Sequence, residues 1–265
     1  MNRSNKTNIL GSWISVWNLD ETCVKITELA RSNRPHYVCV SNVHTVVTGH
    51  EDPSFAKITN DATLATADGV PLLWASRVLS GPRIHGRASG PDILARMIAD
   101  PRFAGCSHFF YGSTPLVLEP LRERLLTLNP KANLAGFFSP PMRPMKSADE
   151  PLDAGELEDC RRIAESGANL IWVGLGAPKQ EIWMSRAKRH FKNGVLIGVG
   201  AAFDFLSGNK SRAPAWMRKS GLEWAHRLLS EPRRLTGRYL KTNPVFVAQV
   251  LKQAALGIRE EGPRS

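Results

Sequence analysis

Asp68 stands at the end of a strand-like stretch, 62–68, and precedes Gly69, so its carboxylate can project beyond the strand with little steric hindrance. A lone carboxylate, with no second acid and no metal triad beside it, suits a general base better than a hydrolase acid–base pair. Arg87, in Gly86-Arg87-Ala88-Ser89-Gly90, comes just before a helical stretch and is placed to neutralise a phosphate. Gln180 opens the helical stretch 179–191, where it can hydrogen-bond a base or a sugar. Asn42, His44 and Glu181 are the remaining polar groups at the sheet edge. Plainer roles stand beside these: Asp68 as a helix cap, Arg87 as a surface arginine, Gln180 as a solvated first-turn residue.

Glycines recur at the same kind of place, in Asp68-Gly69, Gly112-Ser113-Thr114, Gly174-Leu175-Gly176-Ala177-Pro178 and Gly198-Val199-Gly200. A glycine next to a helix start offers free backbone N–H groups to a phosphate. Any one of them is an ordinary strand–helix turn. Several at one sheet edge favour a nucleotide site. Ser113 or Thr114 before Pro115 forms an N-cap with proline in its preferred first position. Phe203 stands where a dinucleotide fingerprint needs its third glycine, and no P-loop string occurs, so NAD and P-loop readings are poor.

The elements that position these groups alternate. Strand-like runs at 37–42, 62–68, 107–112, 132–138, 170–175 and 195–201 are separated by helical stretches at 44–60, 70–79, 90–99, 115–128, 155–166 and 179–191. The clearest amphipathic helix is 115–128, with Leu116, Leu118, Leu121, Leu125 and Leu126 recurring. Residues 140–153, rich in Pro and Met, read as a loop. This order predicts an α/β fold, a Rossmann-like parallel sheet with helices on both faces, whose ligands bind beyond the carboxyl ends of the strands. The period breaks at Gly208, and short helical pieces around Pro214, Pro232 and Pro244 follow. The chain therefore divides into an α/β core, 1–207, and a basic helical appendage, 208–265.

With 265 residues, 42% hydrophobic and 22% charged, the chain can bury a sizeable core and is no disordered polymer. No uncharged apolar run reaches the ~18 residues of a membrane span. The stretch 9–19 is interrupted by Ser12, Ser15 and Asn18 and makes a poor leader segment. The four cysteines lie far apart and the histidines lack zinc spacing, so buried thiols are expected and neither a metal nor a cofactor is. Of the net charge of +11, most sits at the end: from Ser207 onward twelve Lys and Arg oppose four Glu. Trp216, Trp224, Leu228, Leu229 and Tyr239 are interleaved with them. That mixture suits a membrane interface or an oligonucleotide groove, and composition does not choose between the two.

Longer strings carry a resemblance. Asn42-Val43-His44, Ala67-Asp68-Gly69-Val70-Pro71-Leu72, Gly174-Leu175-Gly176-Ala177-Pro178-Lys179-Gln180-Glu181 and Gly198-Val199-Gly200-Ala201-Ala202-Phe203-Asp204 resemble those of the WecG/TagA/CpsF glycosyltransferases. So do Arg212-Ala213-Pro214, Gly221-Leu222-Glu223-Trp224-Ala225-His226-Arg227-Leu228 and Glu231-Pro232-Arg233-Arg234 in the appendage. The likeness runs in order from about Val40 to about Tyr239. It departs at Val40, where the family often has Thr, and at Arg87-Ala88-Ser89-Gly90-Pro91-Asp92, where Val usually follows the arginine.

The resemblance implies an inverting, metal-independent transferase that moves a hexose from a UDP-sugar to a polyprenyl-diphosphate-linked saccharide in surface-polysaccharide assembly. It implies Asp68 as the base and Arg87 as the cation facing the leaving diphosphate. Asn42, His44, Gly112, Ser113, Gly176 and Gln180 would line the cleft, and Arg212, Arg227, Arg233 and Arg234 would complete it from the appendage. The expected place is cytoplasmic, peripheral on the inner face of a bacterial cell membrane, with an anionic leaflet as partner and self-association open. The sugar would be of glucose or N-acetylmannosamine type, with the glucose type favoured. Two other readings stand: a nucleic-acid binder using the basic tail, which leaves Asp68 and Gln180 unexplained, and a non-catalytic sugar-nucleotide sensor.

Overall fold

The computed structural model describes residues 3–257, apart from the side chains of Arg3, Lys219 and Arg234. It opens with a hairpin that the sequence periodicity does not announce: β1 (Lys6–Ile9) pairs antiparallel with β2 (Ser12–Ser15). Leu10 and Gly11 between them have φ of 52° and 86°, both positive, as a tight two-residue turn requires. The stretch 9–19 is thus hairpin and the lead-in to α1 (Leu19–Ala30). That helix is fixed at its start by a capping box, Glu21 N–H to Asn18 Oδ1 at 3.0 Å and Asn18 N–H to Glu21 Oε2 at 2.8 Å.

Six parallel strands then form one sheet. They are β3 (Pro35–Ser41), β4 (Leu64–Ala67), β5 (Ser107–Gly112), β6 (Asn133–Phe138), β7 (Leu170–Gly174) and β8 (Gly194–Gly198). Their order across the sheet is β4-β3-β8-β7-β5-β6. The expected α/β class therefore holds, with helices on both faces. Alternate residues of each strand serve opposite cores, as the pleat demands. Ile171 and Val173 pack with α2 (Val43–Glu51), α3 (Pro53–Asp61), α4 (Val70–Val78), α7 (Ala154–Glu165) and α8 (Lys179–Ala187). Leu170 and Trp172 pack with α1, α5 (Gly90–Ala99), α6 (Pro115–Leu128) and α9 (Ala202–Leu206).

Several boundaries differ from the periodicity. The stretch 44–60 is two helices, because Asp52 ends one and, followed by Pro53, caps the next. Thr114 occupies the cap of α6 but makes no side-chain cap bond, so the capping expected there is absent. On α6, Leu118, Leu121 and Leu125 are buried while Leu116 is 87% exposed. All four cysteines are free and buried.

Beyond the core come α10 (Ala215–Lys219), α11 (Glu223–Ser230) and α12 (Pro232–Leu256). The last is a single 25-residue helix rather than short pieces, running through Pro244. Pro244 and Leu240 are both exposed, so the carbonyl that the proline leaves unbonded lies on the solvent side. Phe246 and Val250 of α12 enter the α2 side of the core. Gln253 ties the far end of the helix to the hairpin, accepting from Leu10 N–H at 3.0 Å. Among the described residues, no helix is long and apolar enough to cross a membrane.

Candidate active site

Asp68 leaves β4 with its N–H bonded to Ser41 O at 2.7 Å, which pins the end of β4 to the end of β3. Gly69 follows with φ +126°, a conformation L side chains rarely adopt, and turns the chain straight into α4. Gly69 holds the cap position and no side chain caps this helix, so the Asp68 carboxylate is not spent as a cap. The segment carrying Arg87 is laid beside it by Ala88 N–H bonding Ala67 O at 2.9 Å. Gly90 lets that segment close in, since a Cβ there would stand 2.7 Å from Val199 O.

Four guanidiniums and three carboxylates meet here. Arg87 donates to Glu223 Oε2 at 2.5 Å and to Asp92 Oδ2 at 2.9 Å. Arg212 donates to Asp92 Oδ1 at 2.8 Å and to Ser89 Oγ at 3.2 Å. Arg218 stands 3.5 Å from Asp92 Oδ1. Arg227 lies over the Phe205 ring at 5.4 Å. The Nε atoms of Arg212, Arg218 and Arg227 are buried and have no hydrogen-bond partner. Burial pushes the Asp68 carboxyl up to about 6; the Glu223 charge adds to the rise, while Arg87 and Arg227 oppose it. Trp224 and Tyr239 meet edge to face, ring centres 6.0 Å apart, on the appendage side.

The other candidates take different places. Asn42 caps α2, its Oδ1 accepting from Thr45 N–H at 3.2 Å, so its oxygen serves the helix. His44 is held neutral by burial, to about 4, with Arg238 and Lys241 of α12 nearby, so it brings no positive charge to a phosphate. Gln180 is 3% exposed, and both ends of its amide are engaged: Gly200 N–H to its Oε1 at 2.9 Å, its Nε2 to Glu181 Oε1 at 2.8 Å. It braces the β8 turn instead of presenting a free amide. Gly112 is required, because a Cβ would stand 2.7 Å from the Gly174 carbonyl across the strands. Ser113 has φ 62°, strained for a non-glycine residue. At Gly176, φ +78°, a Cβ would meet nothing within 4 Å. Arg233 is exposed on the first turn of α12 and does not join the Asp68 group; the Arg234 side chain lies outside the described residues.

Away from the Asp68 group, a shallow concavity open to solvent lies beneath the 139–153 loop and is lined in part by Tyr111, Trp183 and Lys179. Three of its cations are ion-paired, and Lys179 donates to the Arg143 carbonyl at 2.6 Å. Arg143 meets Asp159 at 2.6 Å, Arg186 meets Glu156 at 2.9 Å, and Lys146 meets Glu156 at 3.0 Å.

Residues 7–260 match the Glycosyl transferase WecG/TagA/CpsF family. The chain belongs to that family. It is also similar, at 27% identity over 220 residues, to a Bacillus spizizenii protein. That relative is described as N-acetylglucosaminyldiphosphoundecaprenol N-acetyl-beta-D-mannosaminyltransferase, and the match spans 83% of this chain and 80% of the relative. In this glycosyltransferase, three members of the Asp68 group had no role in the sequence reading. In the sequence Asp92 stands out only as the end of the string that starts at Arg87, Arg218 only as one of the basic residues after Ser207, and Glu223 as part of the Gly-Leu-Glu-Trp string. Nothing local announced that a residue 136 positions away would pair with Arg87.

Proposed function

We propose that this glycosyltransferase moves a hexose, with inversion, from a UDP-sugar to a sugar linked to a polyprenyl diphosphate. The observation that carries this reading is the Asp68 group, one carboxylate at a strand end surrounded by guanidiniums whose buried Nε–H groups of Arg212, Arg218 and Arg227 lack acceptors. Buried donors without acceptors are costly, and an anionic ligand would satisfy them. Asp68 takes the proton from an acceptor hydroxyl as its oxygen forms the new bond to the anomeric carbon. On the opposite face the bond to UDP breaks, and the electron pair leaves on the diphosphate. Arg87, Arg212, Arg218 and Arg227 stabilise that charge, which is greatest in the transition state. With its carboxyl near 6, Asp68 is mostly ionised at neutral pH yet more basic than an ordinary aspartate.

The acceptor class follows the relative's printed description, and the donor hexose is of N-acetylmannosamine or glucose type. The basic appendage docks on an anionic leaflet. Within Pro232–Leu256 there are five Lys or Arg and no acid, and Trp216, Leu229 and Leu240 are 63%, 81% and 72% exposed. Each basic residue near such a surface contributes about 1 kcal/mol.

UDP release from a panel of UDP-sugars tests the reading, with a short-chain polyprenyl-diphosphate sugar as acceptor and EDTA present. Acceptor-dependent release from one donor, lost in Asp68→Asn, is the expected result. Silence across donors and acceptors would reject it in favour of a sensor.

A further inference from the structure

We propose that Glu223 is a positioning residue of the transfer site, a carboxylate that holds the Arg87 guanidinium until the donor's diphosphate displaces it. This rests on the transferase reading above. Two carboxylates share Arg87, and they are held unequally. Asp92 is fixed by Arg87, Arg212 and Ser89, with Arg218 at 3.5 Å. Glu223 has one close partner, Arg87 Nη1 at 2.5 Å; its other cation, Arg212 Nε, is 4.0 Å away. An incoming anion that competes for Arg87 will therefore displace Glu223 and leave Asp92 in place, because the carboxylate with fewer bonds loses less.

The displacement has a use in each state. Before the donor binds, Asp92 is shared between Arg87 and Arg212, and Glu223 supplies Arg87 with a second counter-charge. A carboxylate from the appendage also latches that region onto the core. Burial makes the base more basic than its ordinary value, and the negative charge of Glu223 adds to that rise. Once the diphosphate takes over Arg87, its own negative charge replaces that of Glu223 beside the base. The base therefore keeps its proton affinity through the exchange.

Glu223→Gln in the full chain separates this role from that of a mere latch. UDP itself is the probe, titrated by calorimetry. The variant should bind UDP about fivefold more tightly, since its neutral amide competes less well for Arg87. The acid limb of its kcat/KM profile should shift to lower pH by about half a unit or more, because a negative neighbour of Asp68 is gone. Weaker UDP binding together with an unmoved acid limb would overturn the proposal and leave Glu223 as a latch. The wild-type chain provides a second test that needs no variant. In its structure with UDP, a phosphate oxygen should occupy the place of Glu223 Oε2 on Arg87; an intact Arg87–Glu223 pair beside bound UDP would overturn the proposal. If wild type neither binds UDP nor releases it from any UDP-sugar, the transferase reading fails. If wild type turns over and only the Glu223 results disagree, this inference alone fails.

Discussion

Two groups of arginines stand at the carboxyl end of the same sheet and are held in opposite ways. Beneath the 139–153 loop, Arg186 is 2% exposed and spends its donors on Glu150 O, Pro151 O and both oxygens of Glu156. Arg143 ends on Asp159 and is close to the Tyr111 hydroxyl. Around Asp68, by contrast, Arg212, Arg218 and Arg227 each keep a buried Nε–H with no acceptor. A saturated arginine is a strut, because moving it breaks every bond it makes. An unsaturated one is available to a ligand, and the fold bears the cost until the ligand arrives. The contrast also separates Gln180 from Asp68. Gln180 has both ends of its amide bonded and braces a turn, whereas Asp68 does not cap its helix and burial pushes it up to about 6.

The largest expected effect tests the tool side. Asp68→Asn should lower turnover by about 10²–10⁴-fold, the usual share of a general base. The same change should leave thermal stability at pH 7 unchanged or raise it. The folded-state value of about 6 exceeds the ordinary 3.8, so the group's contribution is present below 3.8 and is lost as pH rises through 6. Removing the charge recovers that loss. A variant that is inactive because it melts early would collapse the distinction between tool and strut. In wild type, the acid limb of kcat/KM should fall near pH 6.

On the strut side, Arg186→Met should cost about 1–3 kcal/mol of stability, by leaving Glu150 O and Pro151 O without their donor and Glu156 with Lys146 as its remaining cation. Denaturant melts would show it, while the acid limb near 6 should stay put in the folded fraction. A shifted limb with normal stability would mean that the 139–153 region belongs to the reacting site after all. Arg227→Ala should lower kcat/KM by about 10²–10³-fold, the scale for loss of one preorganised charge donor. Its melting temperature should change far less than that of Arg186→Met, since Arg227 gives up a ring contact rather than a buried ion pair.

The struts and the tools were not equally legible. Alternating strand and helix signals announced the parallel sheet, and α5 and α6 begin and end where their apolar spacing says. Short strands next to a turn were missed: β1 and β2 are four residues each, too brief for a periodic signal. The length of α12 was missed because Pro244 reads as a breaker, and only its exposed placement makes it tolerable. Asp68 was legible because it sits beside a glycine turn at a strand end, and Arg87 because it lies between Gly86 and Gly90 just before a helix. Glu223 and Asp92 were not, because their meaning lies in pairing across the chain with Arg87 and Arg212. Local spacing carries no record of such partners.

The smallest effect is the most discriminating. At Gly112 an added methyl would strike the Gly174 backbone at 2.7 Å, so any loss on substitution is structural. At Gly176 the same methyl would meet nothing within 4 Å, and only the φ of +78° opposes it, at about 1–2 kcal/mol. Gly176→Ala should therefore fold. If the open space above β7 receives the donor, the methyl stands in the way of substrate alone, and KM for the UDP-sugar should rise while kcat changes little. Initial rates against donor concentration would show it. An unchanged KM would mean that the open space at Gly176 is solvent, and that the donor reaches Asp68 along β3 and β4 instead.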